Sequence, residues 1–149
     1  MDAESMIKGS VRARRVVFLA ACAINVSERN DIVDSDFLHI RGDARARLHT
    51  VNMMKCSRVT DAAFVHLRGI HTLKMSYCNQ VTIADAAFHL RRIQSLNINS
   101  CNQATITDAA FMHLRGIQSL RMDGCDQLTI TDAALIHLRG IQMLRGGCN

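Results

Sequence analysis

In the stretch IHTLKMSYC at residues 70–78, Leu73 and Met75 alternate with Thr72, Lys74 and Ser76. Apolar side chains at every second position fit a short strand with one face buried and one open. The preceding stretch, TDAAFVHLRG at residues 60–69, follows another rule. Phe64 and Leu67 are three apart and share a helical face, and Ala and Leu favour helix. Thr or Asp supplies an N-terminal cap, and Gly69 tolerates the left-handed geometry that ends a helix. The pattern predicts a helix of about two turns followed by a strand.

The phrase then recurs. ITDAAFMHLRGIQSLRMDGC occupies residues 106–125, ITDAALIHLRGIQMLRGGC residues 130–148, and a variant, IADAAFHLRRIQSLNINSC, residues 83–101. Cysteine falls at Cys56, Cys78, Cys101, Cys125 and Cys148, in steps of 22, 23, 24 and 23 residues. A period in the twenties belongs to stacked repeats, where one unit sets the whole architecture. Fainter copies extend the array backwards. LHTVNMMKC at 48–56 matches IHTLKMSYC, and DSDFLHIRG at 34–42 matches DAAFVHLRG, followed by the five extra residues DARAR. VVFLAAC at 16–22 offers Val17, Leu19 and Cys22 where a later copy has Leu73, Met75 and Cys78. This register predicts one column of six cysteines, six strand-and-cysteine turns and five helices. It divides the chain into an N-terminal segment (1–15), degenerate capping repeats (16–47) and cysteine-containing repeats (48–149). Residues 11–23, basic and then apolar with a small-x-small end, also have the shape of a secretory signal. The repeat register accounts for the same residues and is the preferred reading.

The run L-x-M-x-x-C-x-Q followed by I-T-D-A-A-F-x-x-L resembles the cysteine-containing class of leucine-rich repeats, which occurs in F-box proteins and related adaptors. The match is strongest over residues 48–149. The resemblance implies an α/β fold: a right-handed solenoid with short parallel strands on its concave face and short helices on its convex face. It implies a scaffold that binds other proteins. Its alternative form is the substrate-recognition subunit of a ubiquitin-ligase-type complex lacking its own F-box.

Composition narrows the picture further. The chain has 149 residues, 48% of them apolar but only 4% aromatic, with no Trp and no Pro. One core of Leu, Ile, Val, Met, Ala and a few Phe is expected. The formal net charge is +5, which suits an acidic partner without itself indicating nucleic acid. No apolar run approaches the roughly 20 residues of a membrane span.

The repeated polar residues read as structure. No close cysteine pair of the C-x-x-C kind is present, so each thiol is expected inside the turn after a strand, donating to the backbone of an adjoining coil. Unpaired thiols suit an intracellular, cytoplasmic setting. His39, His66, His89, His113 and His137 form a column near the helix C-termini, as do Arg41, Arg68, Arg91, Arg115 and Arg139. An anionic ligand on the arginine column is the alternative, a polyanion or nucleic-acid binder. Nucleic acid is disfavoured because stacking aromatics are scarce. Asp61, Asp85, Asp108 and Asp132 stand at helix starts and read as caps. No nucleophile with a base and no phosphate-binding glycine loop is visible, so neither an enzyme nor a cofactor or metal is expected.

A specific site should lie where the copies diverge, on strand positions facing away from the core. These are Thr50, Asn52, Met54, Thr72, Lys74, Ser76, Ser95, Asn97, Asn99, Ser119, Arg121, Asp123, Met143 and Arg145. The candidate partner-binding set is Asn52, Thr72, Lys74, Ser76, Asn97, Asn99, Arg121, Asp123 and Arg145. Two irregularities add expectations. The copy DAAFHLRR at 85–92 lacks one residue and has Arg92 where others have Gly, which predicts a tightened helix end with positive φ at Arg92. The last copy, LRGGC at 144–148, loses its second core-facing apolar residue. Leu138, Ile141, Met143 and Leu144 then lie near an open end, available for self-association or a completing partner.

Overall fold

The computed structural model describes residues 22–38, 40 and 47–146. Six strands, β1 (Ala23–Asn25), β2 (Thr50–Asn52), β3 (Thr72–Lys74), β4 (Ser95–Asn97), β5 (Ser119–Arg121) and β6 (Met143–Arg145), pair in chain order. Every pairing is parallel. Short helices fill the connections: α1 (Asp34–Phe37), α2 (Asp61–Phe64), α3 (Asp108–Phe111) and α4 (Asp132–Leu135). A 3-10 helix, Asp85–Phe88, takes the equivalent place between β3 and β4. The fold is thus α/β, a single all-parallel sheet alternating with short helices. Among the described residues, two-turn helices occur only at α3 and α4, which continue into the 3-10 turns Met112–Leu114 and Ile136–Leu138. Among the described residues no helix is long and apolar enough to cross a membrane.

The alternation seen in the sequence is what seats each strand. Ile24, Val51, Leu73, Leu96 and Leu120 lie opposite one another and are buried. Two residues on, Val26, Met53, Met75, Ile98 and Met122 form a second buried row, and Phe37, Phe64, Phe88 and Phe111 meet them from the helix side. Each strand row is filled by aliphatic residues of similar volume, as close packing of successive units requires.

The register differs from expectation at the start. β1 begins after Cys22, and Ile24 pairs with Val51, so Arg29 stands in the place that Cys56 occupies in the next unit. Cys22 is exposed and outside the cysteine column. The reason is apolar burial: Ile24 and Val26 supply the alternating core pair that the first strand needs. Val17 and Leu19, His39, Arg41 and Cys148 lie outside the described residues, as do residues 11–21 of the signal-shaped segment.

The cysteine column itself is as the spacing requires. Cys56, Cys78, Cys101 and Cys125 are buried, and their thiols donate to the carbonyls of Val26, Met53, Met75 and Ile98 in the preceding unit, at 3.0–3.2 Å. Burial pushes the thiols of Cys56 and Cys101 up to about 12 and that of Cys78 to about 11.

The aspartates do different work from the capping expected of them. Thr60, Thr107 and Thr131 are the caps, each accepting from the backbone N–H two residues on. The carboxylate at the first helical position reaches forward to the next unit. Asp34 accepts from the Thr60 N–H and hydroxyl at 2.7 and 2.6 Å. Asp85 and Asp108 do the same for Thr107 and Thr131, all at 2.7 Å, and Asp61 accepts from the Ala84 N–H at 2.9 Å. Each carboxylate thus presents the next helix's cap, which itself has no helical partner for its N–H.

The irregular unit behaves as its missing residue dictates. Asp85–Phe88 is a 3-10 helix, and Arg92 takes φ 72°, where Gly69, Gly116 and Gly140 have φ 100°, 82° and 84°. One residue fewer must close the same distance, which tightens the helix.

Candidate functional site

The exposed face of the sheet carries two columns of side chains. Thr50, Thr72, Ser95, Ser119 and Met143 form one; Asn25, Asn52, Lys74, Asn97, Arg121 and Arg145 form the other. At about 4.8 Å per strand, six strands span roughly 24 Å. The sequence-predicted set therefore does converge on one surface, but its members have unequal roles.

The asparagines are largely committed to the scaffold. Asn52 Oδ1 accepts from the Met54 N–H at 3.2 Å, and Asn97 Oδ1 from the Asn99 N–H at 3.0 Å and the Ser76 hydroxyl at 2.8 Å. Asn99 Oδ1 accepts from the Asp123 N–H at 3.0 Å. Asn52 and Asn97 hold the turns that follow β2 and β4, as short amide side chains can where a loop leaves a ladder. Ser76 is buried, with 5% of its surface exposed, and is a correction to the candidate set. Its hydroxyl is consumed by Asn97, so it presents nothing to a partner. Thr72 is half-buried between its neighbours in the hydroxyl column.

Lys74, Arg121, Asp123 and Arg145 are exposed. Among the described residues, none of the three cations makes an ion pair. Arg121 and Arg145 stand directly opposite each other on β5 and β6. Like charges at directly opposed strand positions oppose pairing, so an anion laid across them would relieve the repulsion.

Sequence reasoning missed a third column, one residue before each cysteine or its equivalent. Glu28, Lys55, Tyr77, Ser100 and Gly124 all adopt left-handed backbone, with φ between 55° and 69°. The chain turns sharply here to bring the cysteine inward, and four of five units do it without glycine. Glu28 and Lys55 pair at 3.0 Å, and the Lys55 ammonium lies 5.9 Å from the centre of the Tyr77 ring. Tyr77 is 53% exposed. The signal was present: this position reads Glu, Lys, Tyr, Ser, Gly, a divergence as great as on the strands. The period-2 pattern stops two residues earlier, so the column was not scored.

Histidine rings meet at two places. His89 and His113 have ring centres 3.6 Å apart on the helix side, and burial, aided by His89, pushes the His113 pKa down. His49 and His71, just before β2 and β3, lie parallel at 4.8 Å. Among the described residues no group of three His, Cys, Asp or Glu side chains is placed to hold a metal ion. No protein-family model matches the chain, and no curated protein is significantly similar to it.

Proposed function

We propose that this chain is a right-handed leucine-rich-repeat solenoid of the cysteine-containing class, and that it works without catalysis as an intracellular protein-interaction module. What supports the architecture is the run of parallel strands in chain order with a helix in every connection, together with the thiol-to-carbonyl bonds linking successive units. The binding surface in this reading is the concave sheet face. The observation that carries it is the column of Lys74, Arg121 and Arg145, cations without an ion pair among the described residues, on the face where the units differ.

An extended acidic segment laid across the strands would meet these three charges in turn, with Tyr77 at the margin as an aromatic anchor of the kind that dominates interface energetics. Thr50, Thr72, Ser95 and Ser119 would offer hydroxyls beside it. The test is capture of binding partners by the intact chain at moderate salt, compared with the triple variant Lys74→Glu, Arg121→Glu, Arg145→Glu. The reading expects a discrete protein to be retained by the first and lost by the second. Equal retention by both would remove the sheet face from consideration.

A further inference from the structure

Five strands of the sheet bury their middle residue, and β6 does not. Leu144 stands in register with Val51, Leu73, Leu96 and Leu120, which are at most 1% exposed, yet 40% of its own surface is open. Leu135, Ile136 and Met143 in the same unit are exposed as well. Gly146 takes the place that Met122 has in the second core row. A hollow of about 110 Å³ opens there, lined among others by Phe111, Met122, Ile130, Leu135, Leu144 and Gly146. The strand's outer edge is free of any described strand. The Met143 N–H donates to Gln118 and the Arg145 carbonyl accepts from Met122, so the pleat turns the Leu144 N–H and carbonyl outward between them. At the other edge of the sheet, Ile24, Val26 and Phe37 in the unit of β1 are all buried. The two edges therefore offer no matching pair of apolar faces for head-to-tail stacking.

We propose that the β6 edge is a dimerisation surface, and that its occupant is a second copy of this chain docked through the same edge about a two-fold axis. The two β6 strands then run antiparallel. Leu144 of each copy faces its counterpart, and the two exchange both backbone hydrogen bonds. This register sets Arg145 of one copy opposite Met143 of the other, so no two arginines oppose each other. Leu144 and Leu135 of both copies close over the hollows beneath the sheet. Charge complementarity on the helix side argues for this occupant. Asp132 begins α4 and borders the hollow, level with the C-terminal end of β6. Arg139 follows the same helical segment at its other end, level with the start of β6. Among the described residues neither has an ion-pair partner. A two-fold axis through Leu144 reverses the order of these elements, so Asp132 of each copy lies across from Arg139 of the other. The contact is closed: once two copies have met, neither has a further β6 edge to offer.

Sedimentation velocity of the full chain from about 1 μM to about 1 mM should show monomer giving way to dimer and to nothing larger. Hydrogen exchange at the Leu144 N–H should slow as the dimer forms. Asp132→Arg alone, or Arg139→Asp alone, should weaken the dimer roughly three- to thirty-fold, because the two-fold axis counts each exposed ion pair twice. The two substitutions together should restore the original dissociation constant. Lys74→Gln with Arg121→Gln should leave the dimer unchanged, which keeps this edge distinct from the sheet face. The charge exchange lies on the surface, so it decides the matter even where an apolar variant such as Leu144→Lys fails to fold. A monomer at every concentration overturns the proposal, as do open-ended assemblies. It is also overturned if the double charge variant dimerises no better than the single ones.

Discussion

Asp85→Ala should be among the most damaging single changes away from the core. Asp85 receives both the N–H and the hydroxyl of Thr107 at 2.7 Å, from a partly buried position. A hydrogen bond to a charged group contributes roughly 1.5–3 kcal/mol, and partial exposure reduces each towards the lower figure. Two such bonds give an expected loss of about 2–3 kcal/mol. The comparison is Asp132→Ala. Asp132 occupies the same first helical position, so the two variants share the loss of a charge at a helix start. Its carboxylate has no hydrogen-bond partner among the described residues. Its removal should therefore change stability by no more than about 0.5 kcal/mol. Urea unfolding followed by far-ultraviolet circular dichroism resolves that difference. Removing Asp85 should also cost less in a Thr107→Val background, where the hydroxyl bond is already gone. Equal losses for Asp85→Ala and Asp132→Ala would refute the idea that these carboxylates join the units.

The buried thiols predict both reactivity and pH dependence. Iodoacetamide on the folded protein at pH 8 should modify Cys22 and spare Cys56, Cys78, Cys101 and Cys125 until denaturant is added; mass spectrometry of digests reads this. Native thiols held at about 11 to 12 keep their protons after unfolded thiols, near 9.0, have lost theirs, so the native state binds more protons in that interval. Stability should therefore be independent of these groups below pH 9 and fall as pH rises from about 9 towards 12, measured by urea midpoints. Gly146→Ala places a Cβ 2.5 Å from the backbone of Met122 and Asp123, so β6 should detach, with faster hydrogen exchange at the Met122 N–H, which donates to Arg145. Finally, Leu135, Ile136, Met143 and Leu144 are 40–61% exposed on the last unit. Sedimentation over a range of concentrations should show self-association that Leu144→Lys abolishes; a monomer throughout would exclude it.

By itself the sequence determined the parts of this protein that repeat. Period-2 alternation marked β2 to β6, and the spacing of Cys56, Cys78, Cys101 and Cys125 placed four thiols in one column. Local steric rules and the identity of the units suffice for this, because every copy solves the same burial problem. The missing residue before Arg92 announced a tightened helix for the same reason: equal spans with unequal lengths force a different winding. Tertiary structure decided whatever depends on one unit meeting another. The first strand lies seven residues later than the faint copy at 16–22 suggested, because pairing Ile24 with Val51 buries an apolar row that no local pattern weighs. Asp34, Asp61, Asp85 and Asp108 reach across to the next helix instead of capping their own, a contact between residues 22 to 26 positions apart. Ser76 is lost from the binding face to a hydrogen bond with Asn97, and Lys55 and Tyr77 gain a place beside it. Those outcomes follow from distances between neighbouring units, and a periodic sequence specifies its neighbours only after the chain has stacked.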